Sequence, residues 1–305
     1  MKQIFVTGAT GFAGRHFRDL LDTLPDWRMH GASHDLDLRD GAGVQRAVAA
    51  LPAVPDAVLH LAAQSNVPQA FADPQATFDI NFFGTLRLLQ ALRAAGFRGR
   101  FLFVGSADAY GLVPERELPI GEDHALRPRN PYSVSKVAAE ALAYQWSQTE
   151  GFDVVLARPF NHIGPGQDER FAVASFARQV AEIALGRREP RIETGDIDVT
   201  RDFTDVRDVV RAYVALLQHG ESGRVYNIGS GRETRLREIL GRLIEFGGVQ
   251  TEIVSAPGRL RPAEQRRMCA DTHRIRDRTG WQPRYGLDQT LIDILEYWKE
   301  KLTNE

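Results

Sequence analysis

Tyr132 and Lys136 stand four residues apart in Pro131-Tyr132-Ser133-Val134-Ser135-Lys136, a spacing that puts both side chains on one face of a helix. A free phenol titrates near pH about 10 and is a poor proton donor or acceptor at neutral pH. A neighbouring ammonium favours the phenolate and eases that restriction. The pair is common by chance and gains meaning from Ser106, which ends the apolar run Arg100–Val104 plus one glycine. A hydroxyl there can hydrogen-bond the same substrate oxygen that Tyr132 protonates. The three residues together predict proton transfer to or from an alcohol or carbonyl oxygen.

A second group lies at the start of the chain. Gly8-Ala9-Thr10-Gly11-Phe12-Ala13-Gly14 follows the apolar run Gln3–Thr7 and opens a helical pattern that continues to about Leu24. Glycines at this spacing permit a tight turn and let backbone N–H groups approach a pyrophosphate at a helix N-terminus. The spacing is G-x-x-G-x-x-G, one residue longer than the commoner dinucleotide fingerprint. Gly8, Thr10, Gly11, Phe12, Ala13 and Gly14 are therefore candidate cofactor contacts. An NAD site usually ends its second strand on an acid that holds the ribose 2′-OH. Here the strand ends Gly31-Ala32-Ser33-His34, and Ser33, with His34 when protonated, suits a 2′-phosphate. This favours NADPH, and nearby Asp35 keeps NADH open. Asp37 and Leu38 fall where a loop would touch adenine, although Asp37 reads equally well as a turn or cap residue.

These residues need elements to position them. Strand-like runs at Gln3–Thr7, Arg28–Ser33, Ala57–Leu61, Arg100–Val104 and Val154–Ala157 alternate with amphipathic segments. The longest are Pro74–Ala95 and Pro131–Glu150, the latter with proline in its first turn where a missing N–H costs little. Strict alternation with continuous apolar strands predicts a parallel sheet covered on both faces. The fold class is α/β, a Rossmann-type doubly wound parallel sheet with a smaller C-terminal α/β lobe. Residues 1–160 form the cofactor-binding part, and residues 161–305 form a substrate lobe interwoven with it. Further helices are expected at Arg170–Leu185, Val206–Gln218, Leu236–Phe246 and Leu287–Lys301, with short strands between them, for example at Val225–Ile228 and Glu252–Val254.

Composition narrows the function classes. Of 305 residues, 43% are hydrophobic and 26% charged, as in ordinary globular proteins. Lys+Arg is 38 and Asp+Glu 40, a net charge of −2, which argues against a nucleic-acid partner bound through bulk charge. The single cysteine, Cys269, permits no internal disulfide and no cysteine-based metal site, and a reducing cytoplasm is expected. Neither a signal peptide nor a membrane span is expected.

Taken together, the segments resemble the extended short-chain dehydrogenase/reductases that act on nucleotide sugars. The resemblance runs through TGATGFAG at Thr7–Gly14, HLAAQS at His60–Ser65, VGSADAYG at Val104–Gly111 and PYSVSK at Pro131–Lys136. It continues in RPFNHIGPGQ at Arg158–Gln167, RDFTDVRDVVRAY at Arg201–Tyr213, YNIGSG at Tyr226–Gly231 and TGWQP at Thr279–Pro283. Within the class the chain is most similar to the GDP-4-dehydro-6-deoxy-D-mannose reductases. The resemblance implies reduction of the sugar's C4 ketone to give GDP-D-rhamnose, with Tyr132 as proton donor, Ser106 orienting the carbonyl and Lys136 tuning Tyr132. It implies that Leu61, Ala62, Ala63 and Asn81 line the cofactor beside Tyr132 and Lys136. Ser65 and Asn161 would reach the sugar or its diphosphate, while Arg201, Arg261 and Glu264 would hold the diphosphate, ribose or guanine. Asp108 stands where the related dehydratases carry Glu, so it is a candidate at both the catalytic and the sugar site. Ala107 cannot supply the second acid that dTDP-sugar dehydratases place there, and Asp108-Ala109 departs from the Glu-Glu pair of the reductases. A GDP-mannose 4,6-dehydratase and a nucleotide-sugar 4-epimerase are the alternative activities. A homodimer is implied as well, with the two long helices forming a four-helix bundle across the interface. His162, Arg266 and Arg267 receive no role.

Overall fold

Alternating apolar strands and amphipathic helices build the first half in the computed structural model, which describes residues 1–33, 36–256 and 265–305. His34, Asp35, Arg261 and Glu264 lie outside the described residues. The order is β1 (Lys2–Thr7), α1 (Phe12–Leu21), β2 (Trp27–Gly31), α2 (Gly41–Ala49), β3 (Ala57–His60), α3 (Val67–Ala72), α4 (Pro74–Phe78), α5 (Gly84–Ala94), β4 (Arg100–Val104), α6 (Pro131–Thr149) and β5 (Asp153–Pro159). Next come β6 (Asn161–Ile163), α7 (Ala172–Ala184), β7 (Arg191–Thr194), β8 (Thr200–Asp205), α8 (Val206–His219), β9 (Val225–Ile228), β10 (Glu233–Arg235), α9 (Leu236–Gly247), β11 (Glu252–Ser255), α10 (His273–Thr279) and α11 (Leu287–Thr303).

The main sheet has the order β2-β1-β3-β4-β5-β9, and every neighbouring pair is parallel. Chain direction of the strand order reverses between β1 and β3, and in such sheets ligands bind beyond the carboxyl ends at this switch point. One face packs β1, β3, β4 and β5 against α1 and α8, with Ile275 and Trp281 from the far C-terminus. The other packs Phe101, Phe103 and Val154 against Leu88, Leu89, Leu92, Ala139 and Trp146 of α5 and α6. A third core joins α7, α9 and α11. The three-stranded sheet β10-β8-β6 and the pair β11-β7 complete the C-terminal part.

The expected single helix over Pro74–Ala95 is interrupted. A π-helical turn occupies Asp79–Phe83 between α4 and α5. Such a turn leaves the i, i+3, i+4 apolar pattern nearly unchanged, so periodicity does not reveal it. β7, β8 and β10 are further short strands between the C-terminal helices, and β6, before α7, goes beyond those expected from sequence.

Candidate active site

The glycine loop leaves β1 and enters α1 through backbone that side chains would block. Gly8 has φ of +70°, and a Cβ there would sit 2.8 Å from the Ala62 nitrogen on the loop after β3. A Cβ on Gly14 would overlap the Gly8 carbonyl oxygen. The turn is closed by Gly11 N–H donating to the Gly8 carbonyl at 3.0 Å. Gly11 is also the N-cap of α1 and offers no side-chain cap, so the first-turn N–H groups face the exposed Thr10–Gly11 edge ready for an anion. Close-packed backbone with donors directed outward fits a dinucleotide pyrophosphate. Phe12 stacks on His162 with centroids 5.9 Å apart and planes 2° from parallel. Arg15 donates to the Gly166 carbonyl at 3.1 Å. The loop and the segment Asn161–Gln167 are thus packed together.

A buried chain of hydrogen bonds supports the cofactor edge. Thr85 donates to the Asn81 carbonyl at 2.6 Å. The Thr85 oxygen then accepts from His60 Nε2 at 3.0 Å, and His60 Nδ1 accepts from the Thr7 hydroxyl at 2.6 Å. Finally, Thr7 Oγ1 accepts from Ala62 N–H at 3.3 Å. This order assigns the Nε2–H tautomer of His60. Burial, and then the charge of Lys136, push His60 down to about 3, so the ring is neutral. Asn81, inside the π-turn, accepts from Gln64 N–H at 2.8 Å and donates to the Gln64 carbonyl and to Ser135 Oγ. Its amide ties the loop after β3 to α6. Leu61, Ala62 and Ala63 are partly buried along this edge.

Other proposed cofactor residues occupy different environments. Ser33 is exposed at the end of β2. Asp37 forms a two-oxygen pair with Arg39 and caps its N–H, which holds the carboxyl below the usual range. That is the behaviour of a turn residue. The Leu38 side chain is 4% exposed and belongs to the core beneath α5.

Tyr132 and Lys136 lie one turn apart on α6, whose entry is fixed by a capping box between Asn130 and Ser133 with Pro131 in the first turn. Ser106 follows β4, and its oxygen accepts from Asp108 N–H at 3.2 Å in the short 3₁₀ turn Ala107–Tyr110. The Tyr132 phenol lies beside Ser106 and Asp108, both of which act on its titration. Ser106, Asp108, Tyr132 and Lys136 therefore share one site at the carboxyl end of β4. Burial, then the Asp108 carboxylate, push the phenol above its ordinary value, while Ser106 opposes. The expected dominance of Lys136 over Tyr132 does not hold in this state, and the phenol carries its proton. Lys136 is 5% exposed, with Nζ 4.8 Å from the Phe103 ring centre. Burial pushes it down to about 8, and Glu140 opposes.

Sequence reasoning passed over the ion pair next to this group. Glu140, one further turn along α6, accepts from Arg158 Nε at 2.9 Å and Nη2 at 2.5 Å. Arg158 also donates to Tyr110 Oη at 3.0 Å and to the Glu122 carbonyl at 3.1 Å. The signal was legible as Y-x-x-x-K-x-x-x-E along one helical face, but a charge run usually reads as a solvated face.

On the C-terminal side, Asn161 is exposed at the start of β6, which pairs with β8, so Asn161 and Arg201 occupy neighbouring strands. Arg201 is 7% exposed and donates to the Thr200 carbonyl at 2.7 Å. Asp202 next to it accepts from Ser230 N–H and Oγ, Gly231 N–H and Ala270 N–H, an anchor for the loop after β9. Ser65 is exposed beyond β3. Cys269 is buried, and burial pushes its thiol up to about 11, which leaves it inert. Among the described residues no acid, histidine and cysteine cluster suits a metal, and no helix is long and apolar enough to cross a membrane.

A doubly wound parallel sheet bearing a glycine cradle and a Ser–Tyr–Lys group is the architecture of dinucleotide-dependent oxidoreductases of the short-chain type. The chain belongs to the extended short-chain dehydrogenase/reductases, in the family described as GDP-mannose 4,6 dehydratase, whose model matches residues 23–294. It is 48% identical to GDP-6-deoxy-D-mannose reductase of Pseudomonas aeruginosa, over 100% of this chain and 99% of that one. The structure of RMD from Pseudomonas aeruginosa complexed with NADPH superposes with a TM-score of 0.94 at 48% identity, covering 99% of this chain and 100% of that chain. UDP-glucose 4-epimerase of Thermotoga maritima with UDP-glucose gives a TM-score of 0.89 at 28% identity, covering 98% and 99%.

Proposed function

We propose that this protein reduces the C4 ketone of GDP-4-dehydro-6-deoxy-D-mannose with NADPH and yields GDP-D-rhamnose. The observation that carries the reading is the shared site of Ser106, Tyr132 and Lys136, in a chain similar along its whole length to a reductase of this kind. NADPH, when bound, supplies the hydride that adds to C4. The loop Gly8–Gly14 holds the pyrophosphate, and Ser33 offers a hydroxyl to the 2′-phosphate. NADH is the alternative donor that Ser33 disfavours. Tyr132, kept protonated, donates its proton to the oxygen as the C4 alkoxide develops. Ser106 donates a hydrogen bond to that oxygen and fixes the carbonyl against Tyr132. Lys136 holds the nicotinamide ribose and brings positive charge that favours the phenolate left after transfer. Asp108 lies close enough to bear on Tyr132 and is assigned to the sugar pocket. Ser65 and Asn161 serve the sugar, with Arg201, Arg261 and Glu264 on the nucleotide.

Two functional lobes, residues 1–160 and 161–305, follow from this division of labour. A cytoplasmic location and a homodimer are part of the same reading, and Phe83, Val134 and Tyr144, exposed on the helices expected to pair, support the dimer. The test is a coupled assay in which a dehydratase converts GDP-mannose to the keto sugar and NADPH absorbance is followed. Consumption of one NADPH per keto sugar with GDP-D-rhamnose formed supports the reading. Turnover of GDP-mannose without NADPH, or retention of oxidised NAD through purification, supports the dehydratase or epimerase instead.

A further inference from the structure

Tyr132, Lys136 and Glu140 occupy successive turns of one face of α6, and Glu140 is the member with no place in the reaction as described. Its burial is unusual for a carboxylate, with the side chain 8% exposed and that of Arg158 5% exposed. Surface placement or an apolar pair of similar volume would serve stability as well, so a buried ion pair calls for a further reason. The geometry around it is specific. Arg158 grips Glu140 through two nitrogens and lies over the Tyr110 ring with its carbon 5.0 Å from the ring centre. A Cβ on Gly105 would stand 3.1 Å from Glu140 Oε2 and 3.7 Å from the Arg158 stem. Glycine at 105 thus makes room for the carboxylate directly behind Ser106. One end of the pair touches the helix that carries Tyr132 and Lys136, and the other touches the turn that carries Ser106 and Asp108.

We propose that Glu140, clamped by Arg158, is a positioning residue that acts through Lys136, holding its ammonium charged and seated over Phe103 and thereby setting the alkaline limit of proton donation by Tyr132. The groups that face Lys136 leave Glu140 as the source of this support. Tyr132 on α6 is protonated, His60 from β3 is neutral, and Tyr213 from α8, which faces Tyr132, is pushed upward by burial. Asp108 and Tyr110 come from the 3₁₀ turn; Asp108 acts on Tyr132 and Tyr110 is tied to Arg158. Arg158 from β5 is committed to Glu140. Burial drives Lys136 toward its neutral form, and the charge of Glu140 counters it.

The chain has only four lysines, Lys2, Lys136, Lys299 and Lys301. Protein carrying ¹³C at the lysine ε-carbon therefore gives four signals, and a Lys136→Met sample assigns one of them. In the parent that signal should titrate below the ordinary lysine range, at about 8. In Glu140→Gln its midpoint falls by about one pH unit or more, as expected for loss of a close opposite charge. Should Glu140→Gln lose its fold, Glu140→Gln/Arg158→Met carries the readout with a smaller fall, because loss of the Arg158 cation works in the opposite direction. The kinetic half rests on the reductase reading; the titration does not, so the two can fail separately. In either variant kcat on the alkaline side drops about tenfold relative to the parent for each pH unit of displacement, while kcat near pH 6 and KM for NADPH stay close to parental. An unchanged Lys136 midpoint in a folded variant overturns the proposal. A loss of kcat by one factor at every pH, the mark of a merely structural role, overturns it too.

Discussion

Replacing Tyr132 by Phe removes one oxygen and little else. The ring is partly buried and keeps its packing, and neighbouring Ser106 keeps its bond from Asp108 N–H. At most one hydrogen bond's worth, about 1 kcal/mol, is lost, so melting should move by only a few degrees. Turnover should respond far more strongly. Positioned proton transfer contributes about 10²- to 10⁴-fold, or about 3–5 kcal/mol of barrier. Ser106 cannot substitute, because its hydroxyl has no buried cation on its own element to stabilise the oxyanion left after donation. The assay is loss of NADPH absorbance with the GDP-linked keto sugar, run beside fluorescence titration of NADPH binding. The expected result is a collapse of kcat with cofactor affinity near parental. Parental kcat, or a loss fully explained by weaker NADPH binding, would refute the assignment of Tyr132 as proton donor.

Gly14→Ala should weaken NADPH binding by at least about tenfold, about 1.4 kcal/mol, because its methyl overlaps the Gly8 carbonyl and spreads the cradle; unchanged affinity by titration calorimetry would contradict the cradle. His60 is held neutral down to about pH 3 when folded and protonates at about 6.5 when unfolded. The unfolded chain thus binds the extra proton, so stability is full above about 6.5 and falls by about 1.4 kcal/mol per pH unit as the pH drops toward 3. His60→Gln should be less stable at neutral pH yet show a shallower acid slope in denaturant titrations; an identical slope would show that His60 is not the titrating group.

Much of this site was legible in the sequence because its parts depend on local backbone geometry. The glycine loop needs glycine at positions where a side chain collides, and Ser106 sits where β4 must end. Pro131 marks the start of the helix that carries Tyr132 and Lys136. What escaped depends on distant partners. The strand Thr200–Asp205 is polar in sequence, and it is buried because Asp202 satisfies four donors and Asp205 caps α8. Leu38 looked like a loop residue beside a ligand, yet its side chain meets Gly84 of α5 and fills the core there. The π-turn that holds Asn81 leaves no mark on apolar spacing. Glu140 and Arg158 are 18 residues apart, and only strand β5 laid against α6 makes them a buried pair.

The most direct test of the central claim uses NADPH carrying deuterium at both transferable positions, together with the GDP-linked 4-keto-6-deoxy sugar. Nuclear magnetic resonance of the product should show deuterium at C4 of a rhamnose, one atom per NADPH oxidised. Deuterium absent from the sugar, or a C4 hydrogen drawn from the substrate itself, would contradict the account.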